Sequence, residues 1–497
     1  MYYYFQKILD WVREVLARMM PKEGKEDAGS LLNLNIILTP RIAWALQQWS
    51  LMYINLAPWT LKDDLVTPNG VKTLNIPAAI AAELARVVTI DMTCSITGSP
   101  RADFLNETMQ RLIADIRPFV EYACAKGGLI FKPYITDDNR IAIDYVQADM
   151  FYPMAFDSDR RLTSCCFVDM KQVGGHFYKR FEYHILEAGE EGRFNEHVYN
   201  WNFKSTARDD MGDRCNLAEV PEWADIEEEA NIEDVERPLY AYFRMPFANN
   251  IDPLSPIGVS CFARAVDLIE QTDKLWNDFL WEFDSGQRAL YVDGLAFGKD
   301  VRSGNPKLPP NRLYRTLDMG AQDDDFFKDW TPNMREMSYI NALESHYRMI
   351  EFQCGLSDGV LPRPQAVQMA TATEVKMTQQ RTYATITDTQ RMLRTALEDL
   401  LYAIDTWASI YELAPEGEYQ VEFGFDDSIV HDKDAEFLQD TQAIGLKVLS
   451  RTEFRMRNYD ETESQAKEAI DKIDAENPQS SLEDLFKGQT EPANMEE

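Results

Sequence analysis

Three histidines, a pair of adjacent cysteines and several runs of carboxylates are the side chains here whose types and spacing suggest chemistry. His176, His184 and His197 share one stretch of strand-like texture. A metal site built from them requires pairing that brings all three to one face; the alternative is strand histidines held by ordinary hydrogen bonds. His346 falls in a helical segment and His431 in a late loop. Cys165-Cys166 lacks the C-x-x-C spacing of redox or zinc sites and reads as strand packing. Asp137-Asp138, Asp323 to Asp325 and Asp426-Asp427 could serve a metal-dependent nuclease. With 83 acidic residues, however, such neighbours arise by chance. The motifs G-x-x-x-x-G-K-[ST], G-x-G-x-x-G and H-E-x-x-H do not occur. The expectation is therefore no catalytic residue, no metal and no cofactor.

A chain of 497 residues suggests about three structural regions at ~150 residues each. With 45% hydrophobic and 11% aromatic residues it is a folding sequence. Its net charge of −33 excludes tight nucleic-acid binding through the average field, because that needs cations against phosphate. Facing DNA without gripping it remains open. Seven cysteines without paired spacing fit buried thiols in a reducing compartment. The opening "MYYYFQKILDWVREVLARMM" reads as a charged amphipathic helix and not as a secretion signal. No run approaches the ~18 apolar residues of a membrane span, so a soluble protein without membrane contact is expected.

The elements that would position any site follow from pattern. The first ~125 residues read as helical, including "IPAAIAAELARVVTIDMTC", until Gly127-Gly128. Residues 129–204 alternate short aromatic and β-branched runs with turns, an antiparallel meander. Residues 208–236 form an acidic stretch expected to be solvated surface. Prolines keep "PFANNIDPLSPIG" irregular. A helix then begins near Cys261, with Phe262, Val266, Ile269, Trp276, Phe279 and Phe283 on one face and Arg264, Asp267, Glu270, Asp278 and Glu282 on the other. A β-like excursion follows Gly286. It carries a basic island of Arg288, Lys299, Arg302, Lys307, Arg312 and Arg315, either a solvated loop or a docking surface. The helix "NMREMSYINALESHYRMIEFQCG" leads into the Gly/Pro segment "GLSDGVLPRPQAVQM", whose one cation is Arg363.

The longest helix comes next, Thr-rich in its first half and Leu-rich in its second. Thr371 with Glu374 forms a capping box. Ile386, Leu393, Leu397, Leu400, Ile404, Trp407 and Tyr411 make one stripe, and Pro415 with Gly417 ends it. Roughly forty residues at ~1.5 Å each span about 60 Å. So long an apolar stripe favours contacts with other subunits over a self-contained hairpin. A strand, "EYQVEFGF", two helices, "DKDAEFLQDTQAIGL" and "ETESQAKEAIDKIDAE", and a polar tail complete the chain.

Two strings, "PLYAYFRMPFANNIDPLSPIGVSCFARAVDLIEQTDKLWNDF" and "GLSDGV…ATATEVKMTQQRTYATITDTQ", resemble the portal (head-to-tail connector) proteins of tailed double-stranded DNA bacteriophages, in particular the branch common in long-tailed phages. "AAIAAELARVVT" and "VEFGFDDSIVHDKDAEFLQD" resemble the same family in order, so the similarity spans roughly residues 35–475. It implies an α+β, mainly helical portal fold of wing, stem, clip and crown, assembling into a ring, usually of twelve subunits, around a central channel.

On that resemblance residues 1–250 are wing, 251–285 a stem helix, 286–316 the clip and 317–354 the return helix. Residues 355–372 are the tunnel loop, 373–414 the channel-to-crown helix, and 415–497 a wing strand, crown helices and mobile acidic tail. Arg363, Gln365, Gln368 and Thr371 would face DNA, and Arg288, Lys299, Arg302, Lys307, Arg312 and Arg315 would dock partners. The implied partners are double-stranded DNA, the terminase large subunit, head–tail adaptors, and major capsid and scaffolding proteins. The implied location is the virion's capsid vertex after assembly in the host cytoplasm. A ring of such acidic chains would repel the duplex and keep it sliding. The rival expectations are a minor capsid or adaptor component without a channel, and the metal-dependent nuclease.

Overall fold

The computed structural model describes residues 37–60, 70–136, 138–189, 192–287, 289–293, 314–317, 327–330, 333–361, 372–425, 433–446, 448–459 and 461–476. The chain forms two compact units, residues 1–425 and 426–497. The opening amphipathic segment, Asp137, Asp323 to Asp325, Asp426-Asp427, His431 and the tail from residue 477 lie outside the described residues.

In the first unit, α1 (Pro40–Tyr53) starts on the Thr39 cap, and α2 (Ile76–Val88) on Pro77 in its first turn. The stretch expected to stay helical through Cys94 leaves the helix at Val88. Asp91 takes a left-handed φ of 48°, and Thr93–Thr97 becomes strand β1 with alternating burial. Its β-branched residues suit that pleat, and they pair with a strand far along the chain. Helix α3 (Pro100–Lys126), capped by Ser99, ends at Gly127 with φ 93°. Glycine is required there twice over, since a Cβ would sit 2.6 Å from the Gly258 carbonyl oxygen.

The expected meander at 129–204 is divided between two sheets. Strands β2 (Gly128–Ile135) and β3 (Ile141–Gln147) join β10 (Ala241–Arg244) in the order β10-β2-β3. Strands β4 (Phe151–Phe156), β5 (Leu162–Val173), β6 (His176–Ala188), β7 (Phe194–Ser205) and β8 (Asp213–Cys215) form the second sheet, with β9 (Glu229–Val235) also on β7. The acidic stretch 208–236 is thus not merely solvated. It pairs with β7 and buries Leu217, Val220 and Trp223 against Tyr178, while the Lys171 and Arg180 cations lie over the Trp223 ring.

Helix α4 (Val266–Ser285) starts five residues later than Cys261. Ser260 and Phe262 carbonyls accept instead from Ala263 and Ala265 amides in tight turns. Ile269 is buried, but Phe283 is exposed, and Glu282, expected on the solvent side, is largely buried. The cause is Arg335, whose Nη2 and Nε donate to the Glu282 carboxylate at 2.6 and 3.1 Å. The excursion contains a three-stranded sheet of β11 (Ala289–Asp293), β12 (Tyr314–Leu317) and β13 (Phe327–Trp330), in the order β12-β11-β13. The third strand lies past the expected end at residue 316. Helix α5 (Glu336–Gln353) returns beside α4. Phe279 bridges them, packing on Phe283 and Tyr339, and the Thr272 hydroxyl meets His346 Nδ1 at 3.1 Å.

Helix α6 (Ala372–Ile410) spans 39 residues. Ile386, Leu393, Leu397, Leu400 and Ile404 are buried within the same chain, so these five positions of the stripe are covered without a neighbouring subunit. Only its last member, Tyr411, is exposed. The stripe is covered from several sides. Arg394 Nη2 donates to the Phe423 carbonyl of β14 (Gln420–Gly424), which pairs with β1, and Arg237 Nη1 donates to Asp399 at 2.7 Å.

The buried Arg101 guanidinium, on the first turn of α3, donates to Asp405 Oδ1 at 2.6 Å, the Asp405 carbonyl at 2.6 Å and the Ala414 carbonyl at 2.9 Å. It thereby ties the first turn of α3 both to the last turns of α6 and to the segment just past that helix. The second unit comprises α7 (Lys433–Gly445), α8 (Arg451–Tyr459) and α9 (Glu463–Glu476). Its middle helix was not among the two expected.

The histidines do not converge. His184 pairs across the sheet with Val198, while His197 pairs with Ile185, so the two imidazoles occupy opposite faces. His184 Nδ1 meets Glu196 Oε1 at 2.7 Å, and Nε2 meets Glu182 Oε1 at 2.9 Å. Two carboxylate partners require two N–H donors, which only the imidazolium has. Burial alone would lower the His184 pKa, but the two hydrogen-bonded carboxylates outweigh it and raise it. Burial likewise opposes charge on Glu182, yet Lys132 at 2.7 Å and Arg180 at 3.0 Å hold its pKa well below the usual range. Cys165 and Cys166 are fully buried, and desolvation pushes both thiols up.

Two outcomes follow. Because the folded pKa of His184 lies above its unfolded value, its contribution is complete below the ordinary histidine pKa and is lost as pH rises through the raised one. Urea midpoints should therefore fall as pH rises above the ordinary histidine range, and His184→Gln should flatten that limb. Arg101→Met should destabilise the first unit by about 2–3 kcal/mol, below the ~3–5 kcal/mol of a fully buried pair because the Asp405 side chain keeps 30% of its exposure, as measured by denaturant unfolding.

Candidate functional site

The sequence segment with the greatest functional promise runs from the end of α5 to the start of α6. Its described part, residues 354–361, is a rigid root and not a linker. Cys354, Leu356 and Leu361 are buried in the main core, and desolvation raises the Cys354 thiol. Gly355 has φ 72°, and its missing Cβ leaves room for the Thr385 hydroxyl, which donates to the Gly355 carbonyl at 2.7 Å.

Two further clasps hold this root. Ser357 and Thr382 bond reciprocally: the Ser357 amide donates to Thr382 Oγ1 at 2.7 Å, and the Thr382 amide to Ser357 Oγ at 3.1 Å. Glu351, on the last turn of α5 and fully buried, accepts from the Gly359 amide at 3.1 Å and the Leu361 amide at 2.7 Å. A carboxylate at a helix C-terminus opposes the helix dipole, and these two amides help to offset that. The Thr-rich first half of α6 thus has a local explanation. Thr382 and Thr385 turn hydroxyls toward the incoming loop, where Leu would offer no donor.

Beside the root lies an open cavity lined by Arg348, Phe352, Ser357, Asp358, Gln380 and Arg381 among others. The Arg381 guanidinium stacks on the Phe352 ring, 3.9 Å from its centroid, and Nη1 donates to the Phe352 carbonyl at 3.0 Å. Arg348 approaches Asp358 only at 3.7 Å.

Arg363, Gln365, Gln368 and Thr371 lie outside the described residues, as do Arg288, Lys299, Arg302, Lys307 and Arg312. Arg315 is placed on β12 opposite Tyr291 of β11, and Glu374 in the first turn of α6. Sequence reasoning missed Glu351, Ser357, Thr382, Arg348 and Arg381. The only available signal was a Glu inside an otherwise amphipathic helix end and threonines at helical spacing. Among the described residues no group of three or more His, Cys, Asp or Glu is arranged to hold a metal ion. Among them, too, no helix is long and apolar enough to cross a membrane.

Glu351→Leu removes the acceptor for two backbone amides. Hydrogen exchange at Gly359 and Leu361 should accelerate by at least tenfold, corresponding to about 1.4 kcal/mol or more of lost local stability. Unchanged protection at both amides would show that the clasp is not what orders the root.

A family model described as phage portal protein, SPP1 Gp6-like, matches residues 109–481. No curated protein matches. Among solved structures, the chain is similar to one described as the neck of a native GTA particle computed with C12 symmetry. That alignment has 12% identity, covers 90% of this chain and 98% of the other, and has a TM-score of 0.33. The family match takes in α4, the excursion, α5, the clasped loop root and α6 in one run. On that match over most of its length, the chain belongs to the SPP1 Gp6-like family of phage portal proteins.

Proposed function

We propose that copies of this chain close into a ring, dodecameric in the simplest reading, whose central channel passes double-stranded DNA at one capsid vertex. Family membership supports a structural component of the virion's head–tail connector, and in this reading the chain catalyses no reaction. The observation that carries the channel reading is the loop root. Glu351 and the Ser357–Thr382 pair hold residues 355–361 between two long helices, a rigid base for presenting residues 362–371. Arg363, Gln365, Gln368 and Thr371 would then meet the duplex as sparse, weak contacts. The net charge of −33 per chain supports the same reading, because an acidic wall repels phosphate and keeps the polyanion mobile.

In this scheme the first 250 residues serve as wing, α4 and α5 as stem, and α6 as the strut from channel to crown. The excursion between α4 and α5 serves as clip. Its cations Arg288, Lys299, Arg302, Lys307, Arg312 and Arg315 would dock the terminase large subunit and later the head–tail adaptors. Major capsid and scaffolding proteins would surround the wing during assembly in the host cytoplasm.

Electron microscopy of the purified full chain should show rings with a central hole; particles without one sink the channel reading. Arg363→Glu should preserve ring mass and yet reduce the length or retention of packaged DNA several-fold. Unchanged packaging would remove Arg363 from the contact set.

A further inference from the structure

We infer that the cavity at the loop root is a phosphodiester-binding groove, with Arg348 and Arg381 as its cations. The inference rests on the channel reading above, and it adds two residues outside the loop itself. Three observations carry it. Both guanidiniums line one open cavity together with the Ser357 and Gln380 side chains, so charge and neutral hydrogen-bonding groups converge on the same space.

Arg381 is held in a fixed pose by the Phe352 ring and carbonyl. Its Nε and Nη2 make no hydrogen bond among the described residues and present a ready fork to a tetrahedral anion. Arg348 is more than half exposed, and its 3.7 Å approach to Asp358 is too long for a hydrogen bond, so an incoming oxyanion can displace it. Asp358 sets the limit on affinity: its carboxylate repels a second anion in the same groove. The result is a weak site, as a sliding duplex requires, since each phosphate neutralised adds counterion-release affinity.

A carboxylate of a second copy of this chain has related chemistry, and the test separates the two. The full-length assembly would be titrated with a fluorescent duplex by anisotropy across ~50–200 mM salt, alongside Arg348→Gln/Arg381→Gln and Arg348→Lys/Arg381→Lys. Two lost phosphate contacts predict about tenfold weaker duplex binding for the Gln pair at the low-salt end and a salt slope shallower by about two. The Lys pair, which keeps the charge, should restore most of the binding. Inorganic phosphate at the same ionic strength should compete better than chloride, because the fork pairs with an oxyanion, yet far more weakly than unlabelled duplex if the backbone of DNA is the ligand.

An unchanged slope and affinity in the Gln pair would overturn the groove while leaving a ring-forming portal intact. A wild-type ring that holds no duplex even at low salt would do the same. If the Gln pair loses assembly mass while duplex binding is unchanged, the cations serve a contact between copies and the inference fails. A wild-type chain that stays monomeric sinks the channel reading instead, and its own duplex titration still decides the groove.

Discussion

Burying the second half of α6 inside the chain's own core is the constraint on which the remaining architecture depends. Leu393, Leu397, Leu400 and Ile404 lose essentially all contact with water, each such burial contributing about 1.5–3 kcal/mol against the entropy of ordering the chain. A single helix cannot cover its own stripe. It therefore draws in α2, α3 and β2 from the first third of the sequence, β10 from the middle and β14 from beyond its own end. Arg101 completes the arrangement by pinning α3 to Asp405 of α6 and to the Ala414 carbonyl just beyond it. Long-range order in the first unit follows from this one helix.

Charge is handled differently inside and outside. The surface carries the acidic excess, while the interior concentrates a compensated cluster of Lys132, Arg180, Glu182, His184 and Glu196 where the two sheets meet. Glu196 also accepts from the Leu239 amide at 2.7 Å, which ties the returning chain to β7. Such a cluster is costly to desolvate, and truncating one member strands the others. Its structural consequence is registry: Lys132 of β2 reaches across to Glu182 of β6, setting how one sheet sits on the other.

The loop root applies the same principle on a smaller scale. Glu351 sits at an unfavourable helix end and draws amides from the chain that turns back on it, so one buried carboxylate helps to set the path of residues 355–361. Both flanking helices, α5 and α6, are themselves anchored to the core through Ile350 and Ile386.

Much of this was legible in the residues. Periodicity marked α4, α5 and α6, aromatic and β-branched alternation marked the strands, and "NNIDPLSP" and "TATEV" carried the family. Other features were not legible, for definite reasons. Thr93–Thr97 became a strand because Gln420–Gly424, over 300 residues away, supplied its partner. Glu282 became buried because Arg335 reached it, and the acidic 208–236 stretch found a sheet edge to pair with. The sequence by itself determined where the long helices α4, α5 and α6 lie, which faces of them are apolar, how acidic the chain is and to which family it belongs, because these depend on local spacing and composition. Only the tertiary structure decided that the α6 stripe is covered by its own subunit, that His184 is an imidazolium between two carboxylates, and that Arg348 and Arg381 share one groove. Those outcomes depend on which distant surfaces meet, and no local pattern encodes that.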